Sequence, residues 1–303
     1  MLSPKIIVVG SSNMDMVVKT SHIPVPGETV LSGAFFMNPG GKGANQAVAV
    51  ARLGAEVVFI SRLGNDIFGK QLSQLFSSEG IDISYLVADR TLPSGVALIT
   101  VDEHGENSIV VASGANAGLS VNDLEPMLPL IDDAAIVLLQ LEIPMDVVHF
   151  VAAYAAARNV RVILNPAPAA PLSAALLQQV DILTPNETEA SMIAGIPVSN
   201  IEDAKKAGAL IRAKGVKNVI ITMGSRGAII CNDSGCEIVD TRKVEPIDTT
   251  AAGDVFNGAL SVALSEGKTL ADAVRFACDA AAISVTRLGA QSSIPYRNEM
   301  VGT

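Results

Sequence analysis

The sequence contains few charged residues, and basic residues are the minority among them. Its 303 residues include 21 Lys and Arg against 31 Asp and Glu, a formal net charge of −10. Nucleic-acid binding depends on basic surface, so we expect no nucleic-acid partner. Charged residues make up 17% of the chain and hydrophobic residues 49%, which excludes disorder and requires much of the chain to be packed inside.

Long hydrophobic runs are absent as well. The apolar segments, such as residues 134–139, fall far short of the roughly 18 residues that a membrane-spanning helix needs. Residues 1–5 lead directly into an apolar strand pattern, without the basic, apolar and small-residue regions of a signal peptide. We therefore expect no membrane contact and a cytoplasmic location.

Cysteines, histidines and several catalytic motifs are scarce or missing. The three cysteines have no C-x-x-C spacing and no neighbouring His, so we expect isolated reduced thiols at Cys231, Cys236 and Cys278. The three histidines stand in no recognisable catalytic arrangement. There is no P-loop, H-E-x-x-H or G-x-S-x-G, and without G-x-G-x-x-G after a strand a hydride-transferring enzyme is disfavoured.

Short apolar runs recur along the chain, mostly separated by helical patterns. They lie at residues 5–10, 57–61, 135–140, 160–165, 180–184 and 218–223. Continuous apolar runs are typical of strands buried on both faces of a parallel sheet. We therefore predict an α/β fold in which helices flank a central, mostly parallel sheet.

Two segments, at about residues 12–39 and 95–113, break this alternation. Both contain β patterns with no helix between them, and we interpret them as a small β-sheet lid outside the main sheet. No linker, low-complexity tract or repeat divides the chain, so residues 1–303 are predicted to form a single domain.

Four short segments carry possible chemistry. In PGGKGANQ at 39–46, glycines let the backbone approach a ligand, and Lys42 is unfavourable for a purely structural turn because it lies near the positive end of a helix dipole. In DTTAAGD at 248–254, small residues before a helix leave N–H groups free for an anion, although Asp254 would stabilise a first helical turn in any case. TPNETE at 184–189 also fits a capping box, and TMGSRG at 222–227 also fits a plain hairpin turn.

These four segments, in this order and with GSSNMD at 10–15, resemble the ribokinase/pfkB family of carbohydrate kinases. The similarity covers nearly the whole chain, including GET at 27–29, LNPAP at 164–168 and VTRLGAQ at 285–291. GGKGAN, PNETE and AAGD are highly specific together, although each is weak alone. One difference is Ala251, which stands where the family commonly has the first glycine of D-T-x-G-A-G-D. Alanine still presents its N–H, so we expect activity to be kept.

The resemblance implies a ribokinase-like sandwich with a lid and an ATP-dependent transfer of phosphate to the 5-hydroxyl of D-ribose, giving D-ribose 5-phosphate and ADP. By motif, Asp254 is the general base, and the N–H groups of residues 251–254 stabilise the transferred phosphoryl group. Since the loose transition state asks mainly for positioning, Asp254 needs no shifted pKa.

The implied sugar site has an inventory that suits a vicinal diol. Carboxylates accept hydroxyl protons, amides donate and accept, and a lysine donates. A sugar phosphate would need more cations than one lysine beside several carboxylates, which favours a neutral sugar. The residues implied are Asn13, Asp15, Gly41, Lys42, Gly43, Asn45, Glu142 and Asp254.

The resemblance also implies ATP, magnesium and potassium sites. The ATP-binding residues are Asn186, Thr222, Gly224, Ser225, Gly227, Ala251, Ala252, Gly253 and Cys278. Magnesium is expected to be held largely through water, with outer contacts from Asn186 and Glu189. The monovalent cation site is expected at Asp248, Thr250, Ser284, Arg287, Gly289 and Ser293.

In the family, lids close over the sugar, exclude water and pair across a homodimer, so we expect a homodimer here. Two alternatives stay open. One is a kinase for 2-deoxyribose or another pentose or sugar, because discrimination at one hydroxyl depends on pocket details. The other is a non-catalytic sugar-binding regulator, against which Asp254, Gly253 and the intact PNETE string argue.

Overall fold

The computed structural model describes residues 5–31 and 33–300. Residues 1–4, where the sequence lacks a signal-peptide pattern, and residue 32, inside the predicted lid segment, lie outside the described residues. Within these ranges the strands, numbered in chain order, are β1 (Lys5–Val9), β2 (Asn13–Lys19), β3 (Ala34–Gly40), β4 (Glu56–Gly64), β5 (Leu86–Asp89), β6 (Gly95–Val101), β7 (Asn107–Ala112), β8 (Ala134–Leu139), β9 (Arg161–Leu164), β10 (Ile182–Leu183), β11 (Asn218–Thr222), β12 (Ala228–Asn232) and β13 (Gly235–Val239).

The α-helices follow the strands of the main sheet in most cases. Over the same two ranges, no helix has both the length and the hydropathy needed to cross a membrane. The helices are α1 (Lys42–Arg52), α2 (Ile67–Ser78), α3 (Val121–Leu124), α4 (Pro129–Asp132), α5 (Met145–Ala156), α6 (Ala174–Leu177), α7 (Glu187–Ala194), α8 (Ile201–Arg212), α9 (Ala252–Ser265) and α10 (Leu270–Ser284).

The main sheet has nine strands in the order β13-β12-β11-β10-β9-β8-β1-β4-β5. The strands from β11 to β5 pair in parallel, and β12 and β13 add an antiparallel hairpin at one edge. The predicted α/β fold with a central, mostly parallel sheet is confirmed.

Both faces of the main sheet are buried. In β1, Ile6 and Val8 pack on one face while Ile7 and Val9 pack on the other, and all four are 0% exposed. Helices α1, α2, α9 and α10 cover the first face, and α5, α7 and α8 cover the second. This three-layer packing explains the continuous apolar runs, because each strand needs apolar side chains on both sides.

Helices α1 and α9 lie unusually close to each other at Gly258. A Cβ at this position would lie 2.5 Å from the Cβ of Ala49 and 3.0 Å from the carbonyl oxygen of Gln46. Only a glycine allows this approach without displacing one helix. As a result, the first turn of α9 and the first two turns of α1 face each other at the same edge of the sheet.

A second, separate sheet of four strands has the order β3-β2-β6-β7, as the fold prediction requires. Side chains alternate between its two faces along each strand. Met16 on β2 pairs with Met37 on β3 and Leu98 on β6, and Leu98 pairs with Val110 on β7. These four residues therefore form one row across the sheet, which we call the outer row. Asp15, the neighbour of Met16, lies on the opposite face. Met37, Leu98 and Val110 are 47%, 51% and 64% exposed.

The expectation that all three cysteines are isolated thiols is wrong. Cys231 on β12 and Cys236 on β13 form a disulfide, whereas Cys278 is a buried free thiol. The hairpin turns at residues 233–234, which brings Cys231 directly opposite Cys236 with their Cα atoms 4.2 Å apart. A five-residue spacing becomes a cross-strand pair only once this register is known, and the register is not visible in the cysteine spacing itself.

Candidate active site

Polar residues follow the apolar strands, within two residues of each strand end, at the carboxyl edge of the main sheet. Ser11 comes after β1, Gln140 after β8, Asn165 after β9 and Thr184 after β10, and all four are buried. Carboxyl ends of adjacent parallel strands meet at one edge, where α/β proteins bind their ligands. No motif assigned a role to these residues, although a polar residue ending an apolar run is a signal that could have found them.

The glycines before α1 allow close contact within the chain. Gly41 is the N-cap of α1 with φ 89°, and a Cβ there would lie 2.8 Å from the backbone nitrogen of Asn13. A Cβ on Gly43 would lie 2.6 Å from the carbonyl carbon of Gly10. The sequence interpretation assigns these glycines to ligand approach. At both positions the neighbour is the chain's own backbone, so they bring α1 against the loop between β1 and β2.

Four carboxylates act electrostatically on the Lys42 ammonium: Asp254, Glu142, Glu189 and Asp15. The Glu142 carboxylate accepts hydrogen bonds from the Ser11 hydroxyl (2.5 Å) and the Lys42 backbone N–H (3.0 Å). Burial, followed by the charges of Glu142 and Asp254, raises the pKa of Asp15 to about 7, and Lys42 opposes this rise. Burial opposes charge on Lys42, but the charges of these four carboxylates together outweigh burial and raise the pKa of Lys42, so Lys42 stays a cation.

Asn13 is fixed by a residue that no sequence motif indicated. The Asn13 side-chain oxygen accepts a hydrogen bond from the Asn116 amide at 2.8 Å. Asn116 also accepts from the backbone N–H of Ser12 (2.9 Å) and donates to the carbonyl of Ser12 (3.0 Å). Asn116 is 2% exposed, so it fixes the start of β2, including Asn13, from the interior of the protein.

The Asp254 carboxylate lies in the first turn of α9, with both oxygens held by α1. Oδ2 accepts a hydrogen bond from the Asn45 amide at 2.9 Å, and Oδ1 accepts one from the Gln46 amide at 3.0 Å. Burial raises the pKa of Asp254, while Lys42 and the two amides oppose the rise. From the sequence we expect that Asp254 needs no shifted pKa. The rise follows from near-complete burial, which no motif reports, and it makes Asp254 a stronger base.

The start of α9 has the geometry of an anion-binding turn. Ala251 is its N-cap and has a left-handed φ of 60°, a conformation that favours glycine and accounts for the family pattern at this position. The N–H of Ala252 is 3.3 Å from the carbonyl of Thr249. Gly253 and Asp254, as first-turn residues, have no partner within the helix for their N–H groups, which are therefore available to an anion.

A cavity of about 670 Å³ opens beside the start of α9. Two of the residues assigned to ATP, Asn186 and Ala251, do not line this cavity. Asn186 nevertheless forms a β-bridge with Thr222, which does line it. Seven of the residues assigned to ATP line it: Thr222, Gly224, Ser225, Gly227, Ala252, Gly253 and Cys278.

The same cavity has further walls that no motif indicated. Its lining includes Arg242 and Lys243, which bring positive charge, and Val244, Pro246 and Phe256, which bring apolar surface. The loop after β13 carries four of the five, and its sequence has neither a glycine pattern nor a regular period. The two adjacent basic residues after the edge strand β13, Arg242 and Lys243, were the one sequence signal that could have indicated this wall.

Helix α7 begins with the capping box that the sequence indicates. Asn186 accepts from the backbone N–H of Glu189 at 2.8 Å, and Glu189 accepts from the backbone N–H of Asn186 at 2.8 Å. Burial raises the pKa of Glu189, with Lys42 opposing the rise. Glu187 forms an ion pair with Arg226, which ties the turn at 222–227 to this helix.

Two loops meet at Asp248, where the monovalent cation is expected. The Asp248 carboxylate accepts hydrogen bonds from the backbone N–H groups of Thr250 (2.9 Å) and Gly289 (2.8 Å). Burial works against its ionisation, but the Thr250 hydroxyl, these two N–H groups and the charge of Lys19 together outweigh burial and lower the pKa of Asp248. The loop that contains Gly289 follows α10, and Ser284 and Ser293 lie at its two ends. The Arg287 side chain forms an ion pair with Glu299 and does not enter the site.

A model of the family described as "pfkB family carbohydrate kinase" matches residues 3–297 of this chain. The chain belongs to the pfkB family of carbohydrate kinases. A ribokinase of Haemophilus influenzae is 45% identical over 292 residues, covering 96% of this chain and 95% of its own. A deoxyribokinase of Salmonella typhi is 35% identical over 291 residues, covering 96% and 95%. The structure of Arabidopsis thaliana ribokinase complexed with ribose and ATP superposes with a TM-score of 0.91, at 34% identity over 99% of this chain and 98% of that one.

In this pfkB kinase, α9 separates two chemically different regions. The Asp254 side chain faces the cluster of Asn45, Lys42 and the other carboxylates, whereas the preceding residues, Ala252 and Gly253, line the cavity. One turn of helix therefore joins a carboxylate that can accept a proton to N–H groups that are available to an anion. Such an arrangement is suited to moving a phosphoryl group from one side to the other.

Proposed function

We propose that this kinase is an ATP-dependent ribokinase, which phosphorylates the 5-hydroxyl of D-ribose and yields D-ribose 5-phosphate and ADP. The observation that carries the proposal is the position of Asp254, whose carboxylate faces the polar cluster while its helix turn borders the cavity. The Haemophilus ribokinase and the Arabidopsis ribokinase with ribose and ATP support this choice of substrates.

The polar cluster supplies complementary groups for a neutral sugar. Asp15 and Glu142 accept hydroxyl protons, Lys42 donates, and the amides of Asn13 and Asn45 can do both. A net negative surrounding with one ammonium would repel a sugar phosphate, so a free sugar is the better substrate.

Phosphoryl transfer then follows from the groups around α9. Asp254 takes the proton of the 5-hydroxyl, whose oxygen forms a bond to the γ-phosphorus of ATP while the bond to the ADP oxygen breaks. The N–H groups of Gly253 and Asp254 stabilise the charge on the transferred group. Arg242 and Lys243 in the cavity wall offset the charge of the nucleotide phosphates.

Two cations belong to the proposal. A magnesium ion bound to ATP would neutralise phosphate charge, and Asn186 with the buried carboxylate of Glu189 offers the oxygen donors it prefers, through water. For a monovalent cation such as potassium, Asp248 stays ionised and is joined directly to Thr250 and Gly289, whose carbonyls add neutral oxygens. Carbonyl oxygens of Ser284 and Arg287 and the Ser293 hydroxyl complete the proposed set.

The test is ADP release from MgATP with D-ribose, 2-deoxy-D-ribose, D-fructose or adenosine, each with potassium and with a large organic cation. We expect the highest turnover with D-ribose and potassium. Asp254→Asn, which keeps the volume of the side chain, should lose about 10²- to 10⁴-fold in kcat while still binding ribose and ATP. Ribose binding without any turnover would contradict the proposal and favour the non-catalytic regulator.

A second candidate is a 2-deoxyribose kinase, favoured by the similarity to the Salmonella deoxyribokinase. A ribokinase needs a group that binds the 2-hydroxyl of the sugar, whereas a 2-deoxyribose kinase does not. We assign the Asp15 carboxylate to the 2- and 3-hydroxyls. Removing a substrate hydroxyl leaves a buried partner unpaired, which strongly lowers kcat/KM. Comparable kcat/KM values for the two sugars would favour the second candidate.

We also propose that the small sheet acts as a lid and pairs with its copy in a homodimer. The outer row of Met37, Met16, Leu98 and Val110 gives it an exposed apolar face. Sedimentation should give a dimer for the wild type and a monomer for Leu98→Glu. Ile238→Glu, an exposed apolar position on the far edge strand β13, is the matched control and should stay dimeric. A monomeric wild type would contradict this assembly.

We further propose a cytoplasmic location, because the reaction needs ATP. The Cys231–Cys236 pair would be reduced there. Fractionation of the source cells with antibody detection tests the location, and recovery outside the cytoplasmic fraction would contradict it.

A further inference from the structure

Between α1 and the main sheet lies a chain of buried amides to which no motif assigned a role and which ends on the Asp254 carboxylate. We propose that Gln46 is a positioning residue for Asp254, and that Gln140 acts by orienting Gln46. The inference rests on the proposed kinase activity, in which Asp254 is the base.

The Gln46 amide uses both of its hydrogens and its oxygen. Its nitrogen donates to Asp254 Oδ1 at 3.0 Å and to the side-chain oxygen of Asn165 at 3.1 Å. Its oxygen accepts from the Gln140 amide at 2.6 Å. With these three bonds made, rotating the amide by half a turn would set its oxygen against two acceptors, so one orientation is fixed.

The partners of Gln46 come from rigid parts of the fold. Gln140 and Asn165 follow the adjacent parallel strands β8 and β9, and Gln46 itself lies on α1, which Gly258 brings against α9. Through the Gln46 amide, the Asp254 carboxylate is therefore held in a fixed position relative to the edge of the sheet. A catalytic carboxylate gains rate from such fixed placement, since small misplacements are costly.

Gln46 works through Asp254 and not on the sugar. It is 0% exposed, as is Gln140, whereas Asn45, which holds the other carboxylate oxygen, is 5% exposed and borders the sugar cluster. The Gln46 donor also favours the ionised form of a carboxylate that burial disfavours, so its loss should make Asp254 easier to protonate. A positioning role therefore predicts that losing Gln46 changes kcat and the protonation of Asp254, whereas a general contribution to folding predicts neither effect.

The experiment compares Gln46→Met, Gln140→Met and the double variant with wild type. Methionine keeps the length and flexibility of glutamine and removes the hydrogen bonds. Gln179→Met is the matched control, because Gln179 has a buried side-chain oxygen without a partner among the described residues and precedes β10, at the amino edge of the sheet and not at the carboxyl edge where Asp254 is held. For each protein, kcat, both KM values and the pH dependence of kcat are measured, and melting with and without ribose establishes folding.

We expect Gln46→Met to lower kcat by about 10- to 100-fold and Gln140→Met by about 3- to 10-fold, with both KM values within about 3-fold of wild type. The double variant should match Gln46→Met, because Gln140 acts through Gln46. The acid limb of kcat should move to higher pH in both single variants, and Gln179→Met should match wild type.

A multiplicative loss in the double variant, an unmoved acid limb, or an effect on KM alone would each overturn the proposal. If Gln46→Met does not fold, Gln46→Glu replaces it. A second carboxyl keeps the side-chain shape and should move the acid limb upward still further, whereas a limb at its wild-type position would overturn the proposal.

A measurement without turnover separates this inference from the proposed function. The infrared difference between each protein and its Asp254→Asn counterpart follows protonation of the Asp254 carboxyl as pH is varied. A higher midpoint in Gln46→Met than in wild type supports the inference even if the wild type phosphorylates none of the sugars. Equal midpoints overturn it, even if ribose phosphorylation is fast.

Discussion

Lowering the pH from 8 to 6 should weaken ribose binding by protonating Asp15. Burial beside Glu142 and Asp254 raises the pKa of this carboxyl to about 7. In the proposed sugar site, ionised Asp15 can accept hydrogen bonds from two sugar hydroxyls, whereas protonation turns one of its acceptors into a donor. Because the folded pKa of Asp15 lies above its unfolded value, its contribution to the stability of the free protein is fully present below about pH 4 and is lost progressively as pH rises to about 7.

The size of the effect follows from the ionised fraction of Asp15. With a pKa of about 7, roughly one part in eleven is ionised at pH 6 and ten parts in eleven at pH 8. If ribose binds the ionised form, its Kd should be about 10-fold higher at pH 6 than at pH 8, which corresponds to about 1.4 kcal/mol.

Calorimetric titration of ribose without nucleotide, at half-unit steps from pH 5.5 to 8.5, measures this dependence directly. Asp15→Asn should bind more weakly and show no dependence in this range. Asp254→Asn should shift the midpoint to lower pH, since the Asp254 charge contributes to the raised pKa of Asp15. A flat Kd in the wild type, or a midpoint that Asp254→Asn leaves unchanged, would refute the reasoning.

Three further outcomes follow from the packing. Gly258→Ala should destabilise the fold by about 1–3 kcal/mol in denaturant unfolding and lower kcat, because its Cβ would meet that of Ala49 at 2.5 Å; wild-type stability would contradict the close approach of α1 and α9. Ala251→Gly should keep kcat and gain up to about 1 kcal/mol, since relief of the left-handed strain exceeds the added freedom of the unfolded chain, and a loss of activity would count against this. Replacing Cys231 and Cys236 by serine should cost about 2 kcal/mol in oxidising buffer only, with kcat unchanged; an equal cost in reducing buffer would argue against the cross-link.

The fold was predictable because the strands of the main sheet are buried on both faces. Runs such as 5–10 and 135–140 are apolar without alternation, and they mark β1 and β8 to within a residue. The small sheet was visible for the opposite reason, since its two segments lack helical patterns. Both predictions rest on local composition, which a single sequence displays.

The groups around Asp254 were only partly predictable. Motifs indicate Lys42 and Asn45, which lie in a glycine-rich string, and the capping box at Asn186 is a purely local pattern. Gln46 belongs to the same string, but its role depends on Gln140, which is 94 residues away and is brought near only by the packing of α1 on the sheet. Long-range contacts of this kind leave no local signature.

Burial and register account for the remaining differences. The raised pKa of Asp15 comes from desolvation, which depends on how the two sheets enclose its side chain. The disulfide between Cys231 and Cys236 depends on where the hairpin turns, and a two-residue change in that turn would separate the sulfur atoms.

The central claim is that this chain transfers the γ-phosphate of ATP to the 5-hydroxyl of D-ribose with Asp254 as the base. Phosphorus and proton NMR of a reaction containing D-ribose and MgATP tests it most directly, with Asp254→Asn alongside. We expect one sugar product, phosphorylated at the 5-position, which the wild type forms and which is nearly absent with the variant. A product phosphorylated at another carbon, no sugar phosphate, or equal yields from the two proteins would contradict it.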